Sequence, residues 1–207
     1  AGPTKEYIDP VRFITNKSSG KQGFEIAKSL SKRGIDTTLI SGPTNLDTPK
    51  NVKLIKVETA DEMYSEVKNK LPFHIAVCTA AVSDFKIINK KKDKIKKDEK
   101  INLELENNID ILSYLSDHNS KRPKLVIGFA AETKDLIKNA KLKIEKKHCD
   151  WIVANDVSRS DIGFDSEFNE VSIIYKNEFE KSDFFSKRSK SEIAEEITNK
   201  IIENFVN

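Results

Sequence analysis

The stretch LVIGFAAETKDLIKNAKLKIEKKHCDWIVAND (125–156) decides the fold. It opens on an unbroken apolar run, 125–129, and closes on another, 151–154. Between them, Leu136, Ile137, Ala140 and Ile144 recur on one face at helical spacing, which predicts a helix over about 134–147. Strand, helix and strand in that order make a βαβ unit, whose crossover forces the two strands to run parallel. Continuous apolar runs, in place of alternating ones, predict strands covered on both faces.

The same rhythm extends in both directions. Phe24, Ala27 and Leu30 lie at helical spacing over 24–33, and Gly34 ends that pattern as a C′ residue. Short apolar segments at 37–40, 52–57 and 73–80 predict further strands, with a polar helix at 61–70 stopped before Pro72. Val171–Tyr175 predicts another strand, and 190–205 a last helix with Ala194, Ile197, Ile201 and Phe205 on one face. The expectation is one α/β domain over 1–207, a mainly parallel, doubly wound sheet of Rossmann-like type. Residues 1–4 read as the end of a strand and its turn, which predicts a domain excised from a longer polypeptide. Two segments break the pattern. Residues 87–108 are Lys-rich and contain one alternating stretch, 101–105, expected as a half-exposed strand of an arm or a subunit contact; 158–170 reads as a long loop.

Composition excludes several classes. There are 207 residues, 36 basic against 33 acidic, so net charge is too near balance to argue for general nucleic-acid binding. No apolar run approaches the roughly 20 residues that span a bilayer, and the cytoplasm is the expected compartment. Cys78 and Cys149 lack metal-like spacing, and His74, His118 and His148 are scattered; none is assigned a role.

Candidate chemistry falls in the loops after the strands, where parallel sheets bind ligands. Asn16-Lys17-Ser18-Ser19-Gly20-Lys21-Gln22-Gly23 leads straight into a helix, a place where backbone N–H groups and the helix dipole favour anions; an ordinary serine N-cap is the competing reading. Ala80-Ala81-Val82-Ser83-Asp84-Phe85 offers small residues for close approach and a carboxylate for a metal or a base edge, or else a plain Asp turn. Seven lysines against three acids between Lys90 and Lys100 read as a solvated face or as a loop that closes over a polyphosphate. Gly128-Phe129-Ala130-Ala131-Glu132-Thr133 ends a strand, with Thr133 the expected helix N-cap, and Ala154-Asn155-Asp156-Val157 ends another. Neither GxxxxGK[ST] nor GxGxxG occurs.

Taken in order, 1–23, TAAVSDF (79–85), KIKK (94–97), GFAAET (128–133), 141–157 and the GF…FN segment (163–169) closely resemble the phosphopantothenoylcysteine synthetase family, with KIKK similar to its bacterial, CTP-using branch. The resemblance implies a ligase that joins 4′-phosphopantothenate to L-cysteine through an acyl-cytidylate, with CTP as co-substrate and Mg²⁺ or Mn²⁺ as metal. It implies that Ser18, Ser19, Gly20 and Gly23 cradle phosphate, that Asn16, a catalytic residue with Lys94, contacts phosphopantothenate and supports processing of the acyl-cytidylate, and that Ala80 and Ala81 lie by the phosphopantothenate carboxylate. It further implies Asp84, as metal ligand, and Phe85 near the nucleotide, Lys94 stabilising charge as the cytidylate forms, and Ile109, Asp110, Ile111, Leu112, Phe129, Lys143 and Lys147 in the CTP site. Ile109 departs from the family, which often has Pro there. A homodimer built through the 87–108 arm and fusion behind a flavin-dependent decarboxylase are also implied, while nucleic acid and membrane are not expected as partners. The competing classes are a non-catalytic nucleotide- or nucleic-acid-binding module and a nicotinamide-dependent oxidoreductase, the latter weakened by the missing fingerprint.

Overall fold

In the computed structural model, the described residues are 1–97, 101–132, 134–157, 161–163, 166–179 and 181–205. A five-stranded sheet runs in the order β11 (Ser182–Ser189), β10 (Phe168–Tyr175), β9 (Trp151–Asp156), β8 (Leu125–Glu132), β5 (Ile75–Cys78). The unit read first from sequence is its centre: β5, β8 and β9 are mutually parallel, and α4 (Leu136–Lys147) makes the crossover. The β10 and β11 strands add antiparallel at one side. A separate parallel pair, β3 (Thr37–Ser41) and β4 (Val52–Lys56), lies beyond β5.

Helices cover both faces, the doubly wound arrangement expected. On one face Ile26 and Leu30 of α1 (Lys21–Lys32) and Ile193, Ala194, Ile197 and Ile201 of α5 (Lys190–Phe205) pack on Leu125, Ile127, Val153 and Ile173. On the other, Met63 of α2 (Ala60–Lys70), Ile111 and Leu115 of α3 (Ile111–Ser116), and Ala140 and Ile144 of α4 pack on Ala76, Val126, Ile152 and Ile174. Alternate residues of each strand serve opposite faces, so a two-faced core needs the continuous apolar runs seen in the sequence.

Residues 1–4 stitch the two sheets together. Ala1 bonds toward β3, its amine donating to the Ile40 carbonyl at 2.6 Å and its carbonyl accepting from Gly42 N–H at 3.0 Å. Gly2 and Thr4 bond the other way, to Ala81 N–H and carbonyl at 3.0 and 3.3 Å, and Pro3 forms a parallel bridge with Ala81. The strand-end reading of this segment matches that alternation.

Local signals mark the element ends. Gly34 (φ 77°) closes α1: its N–H reaches the Ser31 carbonyl and that of Ile35 the Leu30 carbonyl, the pairing of a Schellman motif. A Thr59/Glu62 capping box starts α2.

Several expectations need correction. The alternating 101–105 stretch is not a strand; only Leu105 belongs to β7 (Leu105–Asn107), which pairs with β6 (Phe85–Ile87). Strand β5 is shorter than 73–80, while β8 and β10 are longer than read. The 158–170 loop ends earlier than read, because β10 begins at Phe168, and its residues 158–160, 164 and 165 lie outside the described residues. Thr133, the expected cap, also lies outside them; α4 begins after Asp135, in left-handed conformation. The short hairpin of β1 (Lys5–Tyr7) and β2 (Phe13–Thr15) and the edge strand β11 were not expected, since exposed or charge-alternating strands carry no apolar run.

Candidate active site

The carboxyl ends of β5, β8 and β9 open with the start of α1 into one cleft of about 1150 Å³. Every residue to which the family resemblance gives a site role lines it, except Phe85 and Lys94. Phe85 begins β6 and is 49% exposed; Lys94 lies exposed in the loop beyond β6.

One wall is the N-terminus of α1. Gly20 is its N-cap, with φ 77°, and no side chain caps the helix. The serine N-cap reading therefore fails: Ser18 Oγ instead accepts from Gly20 N–H at 3.3 Å. A helix start without a side-chain cap leaves first-turn N–H groups for a ligand anion. Gly23 is needed for a different reason, close approach: a Cβ there would sit 2.3 Å from Thr79 Oγ1 and 2.6 Å from the Ala1 Cβ.

The floor follows β5. Asn16 Nδ2 donates to the Ala81 carbonyl at 2.9 Å, joining the segment before α1 to the Ala80–Ala81 turn. Thr4, completely buried, gives its hydroxyl oxygen to Ser83 N–H at 2.9 Å. Asn108 holds the end of the same turn, its N–H donating to the Asp84 carbonyl and its Nδ2 to the Ser83 carbonyl. These bonds leave the Asp84 side chain exposed at the cleft.

The opposite wall combines α3 and α4. Asp110 caps α3 by accepting from Ser113 N–H at 2.9 Å and pairs with Lys147. Burial alone would raise the Asp110 carboxyl, but the Lys147 and Ser113 hydrogen bonds bring it below the usual carboxylate range. Lys143 donates to the Phe129 carbonyl at 2.9 Å, and burial lowers its pKa from the ordinary lysine value. A partly desolvated lysine one turn from another is a strong place for an anion. In contrast, burial pushes the Cys78 thiol up to about 12, in keeping with its reading as a small hydrophobe.

Sequence reasoning assigned no role to four residues here. Asn155 lines the cleft with a buried amide oxygen that has no partner, although its motif read as a turn. Gln22, Asn169 and Lys190 also line it, linked by Asn169 Nδ2 to Gln22 Oε1 (3.1 Å) and Gln22 Nε2 to the Lys190 carbonyl (3.1 Å). Lys190 is buried at the start of α5, where composition alone would put it in solvent. No pattern in the sequence marks these three as neighbours. Among the described residues, no group of three or more His, Cys, Asp or Glu is placed to hold a metal. No helix among them is long and apolar enough to cross a membrane.

The family model described as "DNA/pantothenate metabolism flavoprotein C-terminal domain" matches residues 1–205. The chain is 44% identical over 211 residues to the coenzyme A biosynthesis bifunctional protein CoaBC of Haemophilus influenzae, covering 99% of this chain and 50% of that protein. It is 42% identical over 204 residues to the protein of the same name in Borreliella burgdorferi, covering 95% and 50%. The chain thus spans about half the length of the curated relatives it matches. Among solved structures, the C-terminal domain of a CoaBC is similar with a TM-score of 0.81 at 36% identity, covering 99% of this chain and 92% of that one. A Cab2 mutant in complex with phosphopantothenate-cysteine, 16% identical with a TM-score of 0.76, shares the fold. With the match running from the stitching segment at 1–4 to the end of α5, the chain belongs to the DNA/pantothenate metabolism flavoprotein C-terminal domain family.

Proposed function

We propose that the protein is a coenzyme A biosynthesis ligase that forms the amide bond between 4′-phosphopantothenate and L-cysteine, with CTP as the activating co-substrate. One observation carries the reading: the strand-end turns and the α1 start, separate in sequence, converge on a single cleft with anion-receptive groups on two opposite walls. The names of the curated relatives, and the ligand of the fold-related Cab2 complex, agree with it.

The chemistry asks for this arrangement. A carboxylate is a poor electrophile, so it is first activated. The pantothenate carboxylate attacks the α-phosphorus of CTP, an acyl-cytidylate forms, and pyrophosphate leaves. The amine of cysteine then attacks the acyl carbon, CMP departs, and the nitrogen loses a proton. Phosphates lie against Ser18, Ser19, Gly20 and Gly23, where α1 supplies N–H groups. Ile109, Asp110, Ile111, Leu112, Phe129, Lys143 and Lys147 form the nucleotide wall. Ala80 and Ala81 admit the acyl group to the backbone, with Asn16 fixing that turn through the Ala81 carbonyl. Phe85 and Lys94 act from the arm, Lys94 by offsetting charge as pyrophosphate departs.

Mg²⁺ (or Mn²⁺) suits the donors present. Magnesium is commonly held by one or two carboxylates together with substrate phosphates, so Asp84, one exposed carboxylate at the cleft, fits an ion that arrives with the nucleotide. Such an ion supplies charge neutralisation on the polyphosphate.

The arm supports a homodimer. Ile88, Leu103 and Leu105 are each more than 40% exposed, apolar side chains that a second subunit would cover. The cytoplasm, and a natural polypeptide that also carries a flavin-dependent decarboxylase, complete the reading. Pyrophosphate release with 4′-phosphopantothenate and CTP, then with ATP, each with and without cysteine, tests it. Release with CTP that needs no cysteine is expected; no release with either nucleotide overturns the reading.

A further inference from the structure

Asp9 sits in the turn between β1 and β2 with its side chain closed off from solvent, yet four donors converge on its carboxylate. Oδ1 accepts from the backbone N–H groups of Val11 and Arg12, both at 2.8 Å. Oδ2 accepts from Arg12 Nη1 at 2.8 Å and from the backbone N–H of Ile95 at 3.1 Å. The first three bonds are local and would shape the turn by themselves. The fourth reaches 86 residues along the chain, into the middle of the lysine loop.

Arg12 closes the grip. The same Nη1 that binds Asp9 also donates to the Ile95 carbonyl at 3.2 Å. Ile95 therefore has both its backbone polar groups held by the 9–12 turn, and its side chain is buried at 8% exposure. Nearby, Lys91 N–H donates to the Ile8 carbonyl at 2.9 Å. On either side of this anchored residue, Lys94 and Lys96 remain exposed.

Among the described residues no ladder does this work instead, because β6 ends at Ile87 and β7 begins only at Leu105. A run of lysines repels itself and stays loose unless something fastens it. A buried carboxylate, for its part, is costly unless fully hydrogen-bonded. Burial would raise the Asp9 carboxyl, but the bonds from Val11, Ile95 and Arg12 hold it below the usual range, so it serves as an anion.

We propose that Asp9 is the positioning residue of the lysine loop: its carboxylate, bridged by Arg12, fixes the Ile95 peptide and so sets Lys94 for the acyl-nucleotide-forming half-reaction. The inference rests on the reading of Lys94 given under Proposed function. Asp9 meets no substrate and acts through Ile95 alone.

The experiment uses the full chain, two main variants, and Asp9→Glu and Lys94→Gln as controls. Asp9→Asn keeps the size of the side chain but leaves one acceptor oxygen where two are needed. Ile95→Pro deletes the loop's donor, together with the buried Ile95 side chain, and leaves the local bonds of the 9–12 turn in place, which covers the case in which Asp9→Asn fails to fold. Hydrogen exchange and trypsin cleavage over residues 90–97 read the loop. Single-turnover pyrophosphate release reads the first half-reaction, and aminolysis of supplied acyl-cytidylate by cysteine reads the second. Both variants are expected to lose protection in the loop and to slow pyrophosphate release by about 10²-fold, the cost of a misplaced catalytic group. Aminolysis should stay unchanged, and Asp9→Glu, which keeps the charge, should regain part of the loss. Retained loop protection, or an equal loss in both half-reactions, overturns the proposal. If the loop loosens while pyrophosphate release holds, Lys94→Gln separates the two failures. An inactive Lys94→Gln then sinks only the role of Asp9, and an active one sinks the reading of Lys94 as well.

Discussion

The cleft and the arm hold their residues by opposite means. Around the cleft, functional groups sit at the ends of buried strands and helices: Val126, Ile127, Ile152 and Val153 beneath them are fully buried. The arm has three residue pairs between β6 and β7, a few bonds to the β1–β2 turn, and apolar side chains facing water, such as Leu103 at 42% and Leu105 at 45% exposure. Geometry at the cleft is inherited from the core. At the arm it depends on single contacts and on whatever covers its apolar face.

The strongest attempt to break this contrast is Gly23→Val. Its Cβ would strike Thr79 and Ala1, so α1 must move off the end of β5. Overpacking of this kind costs about 1–3 kcal/mol, and here it also displaces the phosphate wall. A lower melting temperature together with loss of nucleotide binding by calorimetry is expected. Retention of both would mean that the cleft is not set by its core.

Lys143→Met comes next. It removes a half-buried cation that donates to the Phe129 carbonyl, and the Kd for CTP should rise about 10–100-fold, as for a hydrogen bond to a charged group. The pH dependence has a definite sign. Burial lowers the pKa of Lys143 in the free protein, and a bound polyphosphate raises it again. Affinity is thus full below the lowered value and weakens as pH rises from there toward the ordinary lysine value. Calorimetric titrations along that alkaline range should show this slope in the parent protein and a flatter one in Lys143→Met.

At the arm the expected pattern reverses. Leu103→Glu and Leu105→Lys should leave the melting temperature of the monomer nearly unchanged, within about 0.5 kcal/mol for exposed positions. Sedimentation at micromolar concentration should nevertheless show loss of the proposed dimer. If these changes destabilise the fold as Gly23→Val does, the arm is part of the core and the distinction disappears.

The smallest effect belongs to the start of α2. Thr59→Ala removes half of the α2 capping box and should cost about 1 kcal/mol, with CTP affinity untouched. It calibrates how much instability the cleft tolerates.

The same contrast explains what could be read in advance. Elements that face apolar surroundings on both sides announced themselves by composition, and the 190–205 helix agrees with α5 end for end. Turns attached to those strands were legible because their place follows from the sheet. The alternating 101–105 stretch misled, since alternation records a half-exposed face and does not say that a partner strand lies alongside. Strand β11 was invisible for the converse reason: its backbone pairs with β10 while Ser182, Lys187 and Arg188 look like loop residues. Asp9 and Arg12 reach Ile95 through its backbone N–H and carbonyl, which leave no trace in side-chain pattern.

The stitching segment at residues 1–4 has a mechanical consequence. Among the described residues, no ladder joins β3 to β5, so the hydrogen bonds of Ala1, Gly2 and Thr4 form a seam between two blocks of the molecule. The cleft straddles that seam, with β3 on one bank and β5 and β8 on the other. Helix α1 spans it, packing Phe24 and Ala27 on Leu39 and Val52, and Ile26 and Leu30 on the core of the five-stranded sheet, so small rotations that widen or narrow the cleft would pivot about α1. The amides that face the seam should be the first to exchange when such rotations occur.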